Sequence, residues 1–455
     1  MARSAHAYVR GNTAKFYEWL AASSAARRVP KGPAVWICGD CHLGNLGPIA
    51  AGDGRVEVQI RDLDQAVIGN PAHDLIRLGL SLATAARGSD LPGVTTARMI
   101  EAMVEGYAAA MQDPTSGNAG SEPDVVTAVR KRAIGRRWRH LAKERLDAVE
   151  PTIPLGRKFW PLSGAERDAL GALFDDPEVA KAVLSLDRRD ADRTVRLVDA
   201  AFWMKGCSSL GLLRFAAIIG LKNAKGRSDY ALVDLKEAIA PIAPASLDKA
   251  MPVDNAERVA AAARALSPHL GERIIPVRML DHSFFIRELA PQDLKLEIEQ
   301  FGHGEAVKAA RYLAFVVGKA HARQMDEAAR YQWSSQLEAD SVARLMPRPG
   351  SGKAWYPWRA RTRRDISNIV AASLWPREPS PFLLAQATIR HAPCYPYMTV
   401  KPKHSIVVAR EEGAAVRRAT RHSGRKRLTA YVVGGLGIAG AVAASVRRIY
   451  LAKRI

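Results

Sequence analysis

The chain has 455 residues and a formal net charge of +21, which is long enough for a large core and for two or three domains. Its basicity implies affinity for anions, whether nucleotide, nucleic acid, phospholipid or acidic metabolite, without selecting among them. Four cysteines exclude a disulfide framework and a zinc site of paired Cys-x-x-Cys ligands, and they suit a reducing cytosol.

In chain order, the first informative segment is Cys38-Gly-Asp-Cys-His-Leu-Gly-Asn45, followed by Ile60-Arg-Asp-Leu-Asp64. Ala34 to Ile37 is a short apolar run and Arg55 to Ile60 alternates with period two, so the pattern predicts strand, loop, strand. Asp40 and Asn45 then stand at strand ends with the Asp-x-x-x-x-Asn spacing of a kinase catalytic loop. There the Asp accepts the acceptor hydroxyl's proton and the Asn carbonyl holds a metal. Asp62 is the second metal ligand in this reading. The same residues fit two other motifs: Cys38-x-x-Cys41-His42 matches c-type haem attachment, and Cys-x-x-Cys alone matches a redox pair. Met1 to Arg10 carries no apolar core of signal-peptide length, and no thioredoxin-like helix directly follows the cysteines. Phosphoryl transfer is therefore the preferred reading.

From His73 to Met111 apolar residues recur at three and four, predicting two helices broken at Leu91-Pro-Gly93. Glu122 to Asp192 reads as mixed helical and basic. The period then changes: Val195 to Met204, Leu212 to Ile219 and Tyr230 to Leu235 predict an antiparallel meander. Its first hairpin, Gly206 to Gly211 with Ser208 and Ser209 inside it, can lie over phosphates without side-chain obstruction. Lys236, at the end of the third strand, can neutralise their charge. Asn255 to Leu266 predicts an Ala-rich helix, Ser283 to Leu289 a strand, and Glu305 to Arg323 a further helix. Gly352-Lys353 lacks the upstream Gly of a Walker loop, and no Gly-x-Gly-x-x-Gly opens a helix. Basic clusters at Arg130 to Arg139 and Val416 to Arg427 come without a nucleic-acid motif, so solvated faces are preferred and a nucleic-acid partner is not expected.

At Cys38 to Asn45, Arg61-Asp-Leu-Asp64 and Pro71-Ala-His-Asp-Leu-Ile-Arg-Leu78 the chain resembles the bacterial domain-of-unknown-function family 2252. The resemblance extends to Tyr8-Val-Arg-Gly11, Gly206 to Gly211, Leu235-Lys-Glu-Ala238 and Ala320-His-Ala-Arg323. That family in turn looks like the protein-kinase-like superfamily, particularly aminoglycoside and choline phosphotransferases, whose catalytic loop also reads Gly-Asp-x-His-x-x-Asn. The resemblance implies an α+β, two-lobed, kinase-like fold, circularly permuted because the catalytic loop precedes the glycine hairpin. It divides the chain into residues 1–190, the first part of a helical lobe; 191–300, a small antiparallel nucleotide-binding lobe; 301–410, the rest of the helical lobe; and 411–455, a basic tail. It implies Asp40 as catalytic base, Asn45 and Asp62 as magnesium ligands, Gly206, Ser208, Ser209 and Gly211 over the nucleotide, and Lys236 on its phosphates. His42, Asp64 and Asp74 become supporting residues, and Glu257 is the one acid of the helix after Lys236 able to pair with it. The expected activity is ATP- and Mg2+-dependent phosphate transfer to an unidentified hydroxyl acceptor. The alternative is an inactive nucleotide-binding pseudokinase or a basic anion- or nucleic-acid-binding module.

Leu428 to Val446 is an uncharged stretch between Arg425-Lys-Arg427 and Arg447-Arg448. Its length meets that of a bilayer span, while its Gly and Ala content makes its hydrophobicity marginal. Two expectations follow for a cytoplasmic protein: association of the tail with an anionic membrane surface, or a small-residue helix packed on the domain.

Overall fold

Apolar strands too short to stand alone and helices with one wide apolar face build this chain as a mixed α/β assembly of antiparallel sheets and helices. The computed structural model describes residues 11–22, 29–115, 122–134, 151–186, 193–204, 211–223, 228–294 and 303–339. The glycine hairpin from Gly206 through Ser208 and Ser209, and the whole 411–455 tail, lie outside the described residues. Among the described residues, no helix is long and apolar enough to cross a membrane.

Helix α1 (Thr13–Ala22) buries Phe16, Tyr17 and Leu20. Two small sheets follow. β1 (Val35–Ile37) pairs antiparallel with β4 (Val67–Gly69), and β2 (Leu46–Ala50) pairs antiparallel with β3 (Val56–Ile60). Helices α2 (Ala72–Gly88) and α3 (Gly93–Gln112) part at the Pro92-Gly93 break that the sequence marks. α4 (Asp124–Ile134) comes next, then β5 (Phe159–Trp160), α5 (Gly164–Asp175) and α6 (Pro177–Ser185). The capping box of Ser163 and Glu166 starts α5.

The expected meander is present as β6 (Thr194–Trp203), β7 (Arg214–Lys222) and β8 (Ser228–Glu237). It belongs to a six-stranded sheet in the order β5-β6-β7-β8-β10-β9, with β9 (Ile274–Met279) at one edge and β10 (His282–Glu288) beside β8. Helix α7 (Asn255–Leu266), capped by Asp254, and the short α8 (Pro268–Gly271) come between β8 and β9. α9 (His303–Ala322) and α10 (Glu327–Ala339) close the described chain. α9 lies against α3 at close range because Gly106 has no side chain: a Cβ there would run into the backbone carbonyl of Arg311. One core runs from Phe16 through Ile37, Leu75, Met103 and Leu313 to Trp333. A smaller one, with Trp203, Ile218 and Leu232, lies under the large sheet.

Candidate active site

The end of β1, the Leu43–Asn45 turn and the end of β3 meet in one place. The backbone N–H of Arg61 donates to the carbonyl of Asn45 at 2.7 Å, which ties the Asn45 turn to the residue before Asp62. Helix α2 holds this loop with one face. Asp74, Arg77 and Ser81 follow one another at i, i+3 and i+7, so they point the same way. Asp74, fully buried, accepts from the backbone N–H of Cys38 at 2.7 Å and of Gly39 at 2.9 Å. Ser81 Oγ accepts from the N–H of Leu43 at 3.1 Å. Arg77, also fully buried, donates through Nε at 2.9 Å and Nη2 at 2.8 Å to Oδ1 of Asp40.

From the other side, Tyr17 of α1 donates its hydroxyl to the Gly39 carbonyl at 2.7 Å. Burial, with the nearby Asp74 and Asp40, pushes that phenol well above its ordinary pKa, so it remains a donor. Gly39 itself has φ of +71°, and a Cβ there would collide with the Gln65 carbonyl. Only glycine fits. Behind Asp74, His321 Nε2 lies 3.2 Å from Oδ2, and its Nδ1 lies 3.0 Å from the Tyr107 hydroxyl.

The resulting cleft has a volume of about 100 Å³, and its lining includes Asp40, Asn45, Asp62, Asp64, Gln65 and Glu237. Asp40 is 19% exposed, with Oδ2 at 3.9 Å from Nε2 of the buried His42. Asn45 donates Nδ2 to the Asp40 carbonyl at 3.0 Å, which leaves its Oδ1 with no donor among the described residues. Lys236, buried on β8, reaches across from the large sheet. Its Nζ is 3.7 Å from Asp62 Oδ1 and forms an ion pair with Asp64 Oδ2. Desolvation pushes the Asp62 carboxyl up, but the positive charges of Lys236, Arg214 and Arg287 outweigh it and hold it below the ordinary aspartate value. It is an anion at neutral pH.

Metal fit follows from the donors present. Among the described residues no group of three or more His, Cys, Asp or Glu side chains is arranged to hold a metal. Magnesium needs less: it takes one or two protein oxygens and completes its shell with water and phosphate oxygens. Asp62 is 44% exposed to the cleft, Asn45 Oδ1 has no described donor, and Asp64 Oδ1 is buried without a hydrogen-bond partner. Such a set fits Mg2+ delivered with a nucleotide.

Over residues 1–347 the chain matches the family model described as an uncharacterized protein conserved in bacteria, DUF2252. The chain belongs to the DUF2252 family. No curated protein and no solved structure matches it. The DUF2252 match covers every residue of the cleft and stops before the tail.

Of the residues singled out in the sequence of this DUF2252 chain, Asp40, His42, Asn45, Asp62, Asp64, Asp74 and Lys236 gather at the cleft or directly behind it. Gly211 sits at the described end of the hairpin, with φ of +85°. Glu257 does not join them: it lies exposed in the first turn of α7, and the carboxylates on Lys236 come instead from Asp64 and Asp62. Arg77, Tyr17 and Glu237 were not singled out. Glu237 accepts from the Leu213 N–H at 2.7 Å and holds the start of β7. Arg77 had a readable signal, three residues after Asp74 on one helix face. Tyr17 had none, because its partner is a backbone carbonyl distant in sequence.

Both cysteines of the Cys-x-x-Cys pair are free and buried. The hydrogen bond to Cys41, followed by burial, pushes the Cys38 thiol well above its ordinary pKa. Neither side chain is presented to solvent.

Proposed function

We propose that this chain is an ATP- and Mg2+-dependent phosphotransferase with a kinase-like, circularly permuted fold, acting on a hydroxyl of a small molecule. The observation that carries the reading is the cleft itself: Asp40, Asn45 and Asp62 line one space, with the ammonium of Lys236 against Asp62. Kinases use these groups in these roles, with the Lys on the third strand of the nucleotide-binding sheet. Lys236 likewise sits on the third strand of the β6–β7–β8 meander, with α7 following.

In this reading Asp40 Oδ2 orients the acceptor hydroxyl and takes its proton. Arg77 occupies Oδ1, so one carboxylate oxygen is fixed and the other is aimed. Asn45 Oδ1 and Asp62 would hold the metal, which would supply positive charge to the transferring phosphate. Lys236 exchanges Asp64 for phosphate oxygens when nucleotide enters. The hairpin that begins after β6 covers the nucleotide. The protein works in the cytoplasm, and its basic tail attaches to an anionic membrane surface.

A second reading, a nucleotide-binding module without turnover, is favoured by two observations. Arg77 neutralises Asp40, and the helix after Lys236 offers it no acid. Turnover separates the two. Asp40→Asn is expected to lower phosphate transfer from ATP by about 10²–10⁴-fold while nucleotide binding persists, because it removes the proton acceptor and leaves the cradle. Unchanged transfer in that variant removes Asp40 from the role. Nucleotide binding without transfer to any hydroxyl in the wild type favours the second reading.

A further inference from the structure

A second cavity, of about 300 Å³, shares no lining residue with the catalytic cleft. One wall is a single face of α9, where Tyr312, Phe315, Val316 and Lys319 follow at helical spacing and Arg323 continues it just past the helix end. The opposite wall is β3. In its register with β2, Arg61 donates to Asn45 and Ala51 to Arg55, so Glu57 and Gln59 face β2. Val56 and Val58 therefore turn their N–H and C=O groups toward the other edge, and among the described residues the sheet has only these two strands. Leu266 closes one end, and Glu122, held by Arg130 at 2.8 Å, the other.

The charges in this lining are unusual. Lys319 and Arg323 are like charges at i and i+4, an arrangement that destabilises a helix. Among the described residues, the Lys319 ammonium has no hydrogen-bond or ion-pair partner. Arg323 donates Nη2 to the Leu266 carbonyl at 3.1 Å and has no carboxylate within ion-pair distance. Glu57 lines the same cavity but accepts from Gln59 Nε2 at 3.2 Å, and His269 Nε2 lies 4.0 Å from it. It is not paired with either cation.

We propose that this cavity is a binding site for a small organic anion. Its phosphate or carboxylate head lies between Lys319 and Arg323, and its apolar body rests on Phe315, Val316, Val56 and Leu266. The volume suits a compact molecule, since small-ligand pockets begin near about 300 Å³. The Lys319 ammonium, without a partner among the described residues, and the Arg323 guanidinium, held by a backbone carbonyl, stand beside an apolar wall and an open strand edge and supply the charge, surface and backbone donors such a molecule needs. The site is independent of phosphoryl transfer.

The test is a calorimetric titration of the full chain with phenyl phosphate, and with phenol as the uncharged comparison. We expect saturable binding of phenyl phosphate, much weaker binding of phenol, and about a tenfold loss of phenyl phosphate affinity in Lys319→Met, equivalent to about 1.4 kcal/mol. Glu57→Gln is expected to tighten binding, because it removes the carboxylate whose charge acts on Arg323. Lys236→Met, in the other cleft, is expected to leave it unchanged. Absence of saturable binding, equal affinity in a folded Lys319→Met variant, or equal affinity for phenol overturns the proposal. Loss of binding in a folded Lys236→Met variant also overturns it, since that places the anion in the other cleft, where Lys236 is the available cation.

Discussion

Asp40 illustrates how a single residue's role is set by its surroundings. Its carboxylate is the only acid at the end of β1, yet its position is fixed by groups elsewhere: Arg77 on the side chain, and Asp74 and Tyr17 on the preceding backbone. Gly39 makes that arrangement sterically feasible. Gly39→Ala forces a side chain into left-handed backbone and into the Gln65 carbonyl, so it is expected to lower stability by at least about 1–3 kcal/mol and to displace Asp40. Urea unfolding reads the first effect and nucleotide turnover the second; a stable, fully active variant would contradict this account of the loop. At this scale the sequence was informative about Asp40, Asn45 and Asp62, because their chemistry and spacing are local. It was silent about Asp64 as the nearest partner of Lys236, which depends on how a distant strand docks.

Helix α2 acts as an element rather than as a set of residues, since one face delivers Asp74, Arg77 and Ser81 to successive loop positions. The α3–α9 contact works in a comparable way through a small residue. Gly106→Ala gains about 1 kcal/mol of helix propensity, but its Cβ meets the Arg311 backbone and must push the helices apart, costing about 1–3 kcal/mol. A net loss in the denaturant midpoint is expected; a gain would show that α9 yields readily.

Long periodic segments were legible: α7 spans the predicted Asn255 to Leu266, and the three meander strands fall where their apolar runs are. β2 and β9 were not. Each is short and carries a proline, Pro48 and Pro276, which weakens a strand signal. Proline is tolerated in these strands because β9 lies at a sheet edge and β2 belongs to a two-stranded pair. α1 is legible only through the apolar face of Phe16, Tyr17 and Leu20.

For the molecule as a whole, the connection between the large sheet and the Asp62 loop rests on a charged cluster. Asp293 receives both Nη groups of Arg273 and one of Arg287, while Arg61 donates to the neighbouring carbonyls of Asp293 and Leu294. Burial and the adjacent Arg287 lower the Arg61 pKa to about 10. Burial alone would raise the Asp293 carboxyl, but Arg273 and Arg287 outweigh it and hold it low. A carboxyl depressed on folding contributes stability above its unfolded value of about 3.9, and that contribution is lost as pH falls through the lower folded value. Asp293→Asn is therefore expected to cost about 3–5 kcal/mol at neutral pH by taking the carboxylate charge away from the buried guanidinium groups, and to flatten the loss of stability below about pH 4. Denaturant midpoints across pH check both, and an unchanged acid limb would remove Asp293 from its role.

The Arg273 and Arg287 side chains also support the loop that carries Asp62, through the Arg287 bond to the Arg61 carbonyl at 3.1 Å. Asp62 is where the central claim is most exposed to test. The decisive measurement is a titration of the full chain with a fluorescent ATP analogue, with and without magnesium, for the wild type and for Asp62→Ala. The account predicts binding that magnesium strengthens in the wild type and a loss of that strengthening in Asp62→Ala. Nucleotide binding of equal strength with and without magnesium, or no nucleotide binding at all, would contradict it.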